Sequence, residues 1–169
     1  MATSLLKDVV VNLISIKTGI GSKADIVLSA NNGVDRVILP VVPSELPAIN
    51  SPQNNETFNG IRGDMGVIGT LGLRGLTLED YLLPLIPTKY GFCRPYGSTA
   101  ADVINFIKKY QAEYIPFRCA ITYDNGSVYL NMACLVNDFS YYVDNVGDYH
   151  FTLELVEYKM VTPQGGLSS

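Results

Sequence analysis

Apolar and polar residues alternate most cleanly near the end of the chain. Between Tyr149 and Tyr158, the residues Tyr149, Phe151, Leu153 and Leu155 fall on one face and His150, Thr152 and Glu154 on the other. This period of two marks a strand with one buried face. Phe139–Val143 and the turn-forming run Asp144-Asn-Val-Gly147 come just before it, which predicts an antiparallel pair. A second hairpin is predicted where Tyr114–Tyr123 and Val128–Leu135 flank Asp124-Asn-Gly-Ser127. There Asn125-Gly126 suits a type I′ turn, which needs positive φ at both central residues.

Ahead of these strands the period becomes helical. Val103, Ile104, Phe106, Ile107 and Tyr110 form one apolar stripe, and Thr99 followed by Asp102 resembles a capping box with Asp in place of Glu. One amphipathic helix is therefore predicted near 99–112. Lys108 and Lys109 fall in its predicted last turn, where cations complement the carbonyl end of the helix.

Earlier in the chain, Val9–Ile16, the turn Thr18–Ser22 and Ala24–Ser29 predict an antiparallel pair. Asn31-Asn-Gly33 makes the next turn, and Asp35–Val42 a third strand whose Pro40 confines its far end to an edge or a bulge. The Pro, Ser and Asn residues crowded into Pro43–Asn59 predict an irregular excursion, kept by a compact domain when it contacts something. Met65–Thr70 and Arg74–Leu78 are read as further sheet strands interrupted by glycine, and Leu82–Thr88, broken by Pro84 and Pro87, as a packed crossover. The expected fold class is α+β: mainly an antiparallel β-barrel or sandwich with one helix. A single domain is expected over 1–160, with long loops at 43–75 and a flexible tail over 161–169.

Composition turns attention to surfaces. Of 169 residues, 17% are charged and 47% apolar, against about 25% charged in an average soluble domain, so much of the exterior is expected to be covered in an assembly. The net charge is −4 and Lys108-Lys109 is the one adjacent basic pair, which argues against specific nucleic-acid binding. No apolar run approaches the roughly eighteen residues of a membrane span, and Met1–Lys7 does not have the pattern of a signal peptide. Synthesis in a cytoplasm without membrane insertion is expected.

Reactive chemistry is hard to assemble from these residues. Cys93, Cys119 and Cys134 are unclustered and sit beside apolar residues, as buried thiols do. One histidine, His150, and no CxxC pair give no zinc set at usual spacings. Neither GxGxxG nor a GK[ST] ending is present. Gly60, Gly63, Gly66, Gly69, Gly72 and Gly75 recur every third residue, but with no proline between them a triple helix is not indicated, and a loop inserted between subunits fits better. Asp102, Asp138, Asp144, Asp148, Glu154 and Glu157 are spread over caps, turns and a strand. No catalytic residue, cofactor or metal is assigned, and the chain is read as a non-enzyme. Tyr141, Tyr142, Tyr149 and Tyr158 cluster on the terminal strands, read as core and protein interface, or alternatively as a carbohydrate- or receptor-binding platform.

One order of segments resembles a known family. Leu39-Pro-Val-Val-Pro-Ser-Glu45 is followed by Asn54-Asn-Glu-Thr-Phe-Asn59, then a glycine-rich stretch and an apolar segment with Pro84 and Pro87. The helix with Val103-Ile-Asn-Phe-Ile107 and the closing Tyr149–Lys159 come next. Over about 35–160 this is similar to the N-terminal domain of LysM-bearing baseplate proteins of contractile phage tails and phage-tail-like bacteriocins, here without a LysM domain. The resemblance implies a tube-protein-like fold and a structural role as tube initiator, a homo-oligomeric ring, usually hexameric, in the virion tail baseplate. Its implied partners are the spike hub and tail tube proteins, with tape-measure and wedge proteins as further contacts. Pro43, Pro47, Asn54, Phe58, Arg62, Met65, Tyr142 and Tyr158 are the expected interface residues.

Overall fold

A computed structural model describes residues 24–159. Its centre is a seven-stranded antiparallel sheet, and a separate two-stranded hairpin leaves it on one side. The strands are β1 (Ala24–Ala30), β2 (Asp35–Ile38), β3 (Ile49–Asn50), β4 (Glu56–Gly60), β5 (Gly63–Val67), β6 (Gly75–Leu83), β7 (Phe117–Tyr123), β8 (Val128–Val143) and β9 (Tyr149–Glu157), and α1 spans Ala100–Glu113. The main sheet runs β2-β1-β7-β8-β9-β6-β3, while β4 and β5 pair with each other. This is the expected α+β class with a mainly antiparallel sheet.

Alternating side chains build the core on one face of the sheet. Ile26, Leu28, Cys119, Ile121, Leu130, Met132, Phe151, Leu153 and Leu155 are buried there, and Val103, Ile104, Phe106, Ile107 and Tyr110 of α1 join the same cluster. Thr99 caps α1, its hydroxyl accepting from the Asp102 N–H at 3.3 Å. The helix ends at Tyr114 in the left-handed conformation (φ 55°), with the Ile115 N–H donating to the Tyr110 carbonyl at 3.3 Å. It thus runs past the expected stop at 112, and Lys108 and Lys109 lie before its last turn. They serve tertiary contacts instead: Lys109 Nζ lies 3.1 Å from Asp35 Oδ2, and Lys108 Nζ donates to Tyr141 Oη at 2.6 Å. Tyr110 also donates to Asp35, at 2.6 Å. The Tyr110 and Lys109 hydrogen bonds hold the Asp35 carboxyl below its ordinary range, which ties α1 to the start of β2.

Several local expectations are corrected. β1 is paired by β7 along Ala24–Ser29 and by β2 over Val27–Ala30; Val9–Ile16 and Thr18–Ser22, its expected partner and turn, lie outside the described residues. Among the described residues β2 lies at one edge of the sheet, but it ends at Ile38, because Pro40 brings no N–H to a ladder. The Asp124–Ser127 turn is not type I′. Gly126 has φ 82° while Asn125 is not among the positive-φ residues, and the Gly126 N–H donates to the Tyr123 carbonyl at 2.9 Å. That is a type I turn closed by glycine, with Asn125 Oδ1 accepting from the Ser127 N–H at 2.9 Å. The sequence suggests two strands over 128–143, yet β8 is one strand of 16 residues. A register shift between Val136 and Asp138 absorbs the polar Asn137. Leu82 and Leu83, expected in a crossover, end β6. Residues 161–169, the expected tail, lie outside the described residues.

The crossover after β6 is held from beneath. The Asp148 carboxylate, 1% exposed, accepts from Lys89 Nζ at 2.7 Å, Tyr90 Oη at 2.5 Å and the Leu85 N–H at 3.2 Å. Burial alone raises an acid's pKa, but the Lys89 and Tyr90 hydrogen bonds outweigh it, and Asp148 ionises below its ordinary range.

Candidate interface: a hairpin arm and two open sheet margins

Residues 51–73 form an arm. Every residue of Ser51–Ile68 is exposed except the half-buried Gly60, and the glycine-interrupted β5 pairs with β4 and not with the main sheet as expected. In this ladder Phe58 lies opposite Met65 and Glu56 opposite Val67, so Phe58, Met65 and Val67 share one face, while Thr57, Asn59, Asp64 and Gly66 share the other. Phe58 is 54% exposed, Met65 63% and Ile61, at the tip, fully so. Ile68, Leu71 and Leu73 extend the apolar surface towards the base.

The base of the arm is built tightly. Asn54 donates its N–H to the Thr70 carbonyl at 3.0 Å, and Gly72 to the Pro52 carbonyl at 2.8 Å. A Cβ on Gly69 would sit 1.3 Å from the Asn54 carbonyl oxygen, so glycine is required there for two backbones to approach. Below it, Arg74 Nη2 lies 2.7 Å from Glu157 Oε1, and the Arg74 N–H donates to Glu157 Oε2 at 3.1 Å. Hydrogen bonding from Arg74 lowers the Glu157 pKa and anchors the arm to the end of β9.

The second feature is a property of the main sheet. β7 pairs with β8 only as far as Cys134, and β3 covers only Gly75 and Leu76 of β6. Beyond those points the sheet narrows to three strands, β8-β9-β6. Among the described residues, no strand lies outside Leu135–Val143 of β8 or Thr77–Leu83 of β6. Tyr141 and Val143 are 40% and 52% exposed at the β8 margin. Since β9 is antiparallel to both, β8 and β6 run parallel to each other.

The expected interface residues divide between these features. Phe58, Arg62 and Met65 lie on the arm and Asn54 at its base. Pro43 and Pro47 lie in the half-buried connection that leads to it, where the Pro47 carbonyl accepts from Tyr129 Oη at 3.1 Å. Tyr142 is at the far end of β8, while the Tyr158 N–H donates to the Ala133 carbonyl. Nine residues of strand, about 30 Å, thus separate the backbone levels of these two tyrosines. Tyr141 packs against Tyr149 and Phe139 on the core side, and Tyr142 lies against His150 on the opposite face. The four tyrosines therefore do not form one platform. Sequence reading missed Ile61, Val67, Ile68, Leu71 and both margins. A usable signal was the placing of large apolar residues between the glycines of 60–75.

Among the described residues no group of three or more His, Cys, Asp or Glu side chains is placed to hold a metal ion, and no helix is long and apolar enough to cross a membrane. In comparison with known proteins, the chain matches no protein-family model and no curated protein.

Proposed function

We propose that the chain is a non-enzymatic structural subunit that closes into a homo-oligomeric ring. The arm carries this reading. A lone two-stranded hairpin is marginal in water, and this one shows a face of Phe58, Met65 and Val67 that nothing among the described residues covers. A neighbouring copy is the cover that makes such an arm worth ordering. The margins supply the closing geometry: two different edges on one subunit allow the same heterologous contact to repeat around an axis. Because β8 and β6 are parallel, that contact would be a parallel ladder in a ring whose strands run along the axis. The resemblance to baseplate adaptors gives the setting, in which one rim of the ring meets the spike hub and the other the tail tube in the virion.

Mass measurement and electron microscopy of the purified chain test this. Rings of uniform mass are expected, and Phe58→Ser with Met65→Ser should shift the population to single chains with an unchanged far-ultraviolet spectrum. A monodisperse monomer at every concentration, or rings indifferent to the double substitution, would count against the reading.

A further inference from the structure

The run Val9-Val-Val-Asn-Leu-Ile-Ser-Ile16 lies outside the described residues, but its composition restricts where it can pair. Six of its eight residues are Val, Leu or Ile, and none is charged, proline or glycine. Natural edge strands are blunted by charge, proline or brevity, so this run calls for a ladder partner on each side. The described strands leave few such places. β1 is already paired on both sides over Val27–Ser29. The open edges of β2, β3, β4 and β5 are only four, two, five and five residues long. The margins Leu135–Val143 of β8 and Thr77–Leu83 of β6 match an eight-residue strand better. They lie on opposite sides of β9, and three strands are too few to curl both onto one strand. Within one subunit the run reaches one margin, whereas between two subunits it reaches both.

Direction and reach agree with that position. β8 and β6 are both antiparallel to β9, so direct contact between copies would place one parallel ladder, the slightly weaker pairing, in an otherwise antiparallel sheet. A strand inserted between them and antiparallel to both removes the exception. Ala24 is level with Tyr123 of β7, and the β8 margin begins just past the pairing of Phe117 with Cys134, about 24 Å further along the sheet. The eight residue steps from Ile16 to Ala24 span about 28 Å when extended. They therefore carry Ile16 to Leu135 of its own copy, and the run then lies along β8 with Val9 towards Val143, antiparallel to it. We infer that residues 9–16 form an inserted strand, pairing with β8 of their own copy on one side and with β6 of the next copy on the other. The inference rests on the ring reading and refines its contact: neighbouring subunits meet through this strand.

Cross-linking of the full-length chain tests the position, because the native thiols are buried and react poorly. With a short bis-maleimide, the double variant Asn12→Cys/Glu79→Cys should join different copies into covalent multimers, and Asn12→Cys/Ser140→Cys should join within one chain. Val11→Pro, which removes a ladder donor, should lower the ring fraction roughly tenfold or more, with the far-ultraviolet spectrum and core amide protection of single chains unchanged. Four results overturn the inserted strand and leave the ring reading standing: rings present but no multimers from N12C/E79C, links between chains from N12C/S140C, V11P rings in parental yield, or a V11P chain that forfeits core amide protection. A parent chain that stays monomeric at every concentration overturns the ring reading, and this inference with it.

Discussion

Tyr81 is a misfit inside an otherwise apolar core. Its ring is 5% exposed and packs against Phe151 at 5.0 Å, but its hydroxyl is buried beside the Val41 backbone and makes no well-formed hydrogen bond among the described residues. Burial pushes its ionisation far above the ordinary phenol range. An unpaired buried hydroxyl costs about 1–3 kcal/mol, so Tyr81→Phe is expected to stabilise the fold by about 1 kcal/mol in urea unfolding. A loss of similar size would mean that the hydroxyl has a partner at Val41. Asp148 is the opposite case, a buried carboxylate with its partners in place. Asp148→Asn should cost about 1–3 kcal/mol, because the bonds from Lys89 and Tyr90 lose their ionised acceptor. The folded-state pKa of Asp148 is depressed, so its contribution is present above the unfolded value of about 3.9 and is lost as pH falls through the lower folded one. Hydrogen exchange at 85–93 should therefore rise in acid before the main sheet opens.

At the scale of elements, legibility followed how local the determining physics is. The helix was readable because its cap, Thr99 with Asp102, and its stripe from Val103 to Tyr110 lie within one segment. Its true end was not, since Tyr114 carries no glycine-like signal for the left-handed cap it adopts. β9 was readable from strict alternation. β8 looked like two strands because Asn137-Asp138 interrupts the apolar pattern, and a bulge that swallows a polar residue leaves no local mark. Partner choice for β5 was beyond local reading, because glycine-rich strands specify register and partner weakly. The arm nevertheless has one point of high constraint. Gly69→Ala would force the Asn54 backbone away, and is expected to abolish amide protection in 56–67 while core amides keep theirs. Equal protection in variant and parent would show that the base of the arm yields without cost.

Across the whole molecule, the candidate interface was only partly visible beforehand. Phe58 and Met65 stand out as large apolar residues in a polar, glycine-rich stretch. An open margin, by contrast, is set by the order and offset of strands, and no single segment carries that information. The low charged fraction, 17%, was the one global hint that pointed to a covered surface. If the β8 margin is a contact, Val143→Lys should blunt it as natural edge strands are blunted. The prediction is fewer rings by mass measurement with single-chain stability within about 0.5 kcal/mol of the parent.

All the thiols of the chain, Cys93, Cys119 and Cys134, are inside, and burial moves each of them up, Cys119 to about 12. At neutral pH the folded surface is thus silent towards maleimides and similar electrophiles, which attack the thiolate. A cysteine substituted at Ile61, at the arm's tip, would be the one readily labelled atom per chain. A fluorophore placed there could follow the arm of a single subunit from solution into whatever it grips, with no native residue needing removal.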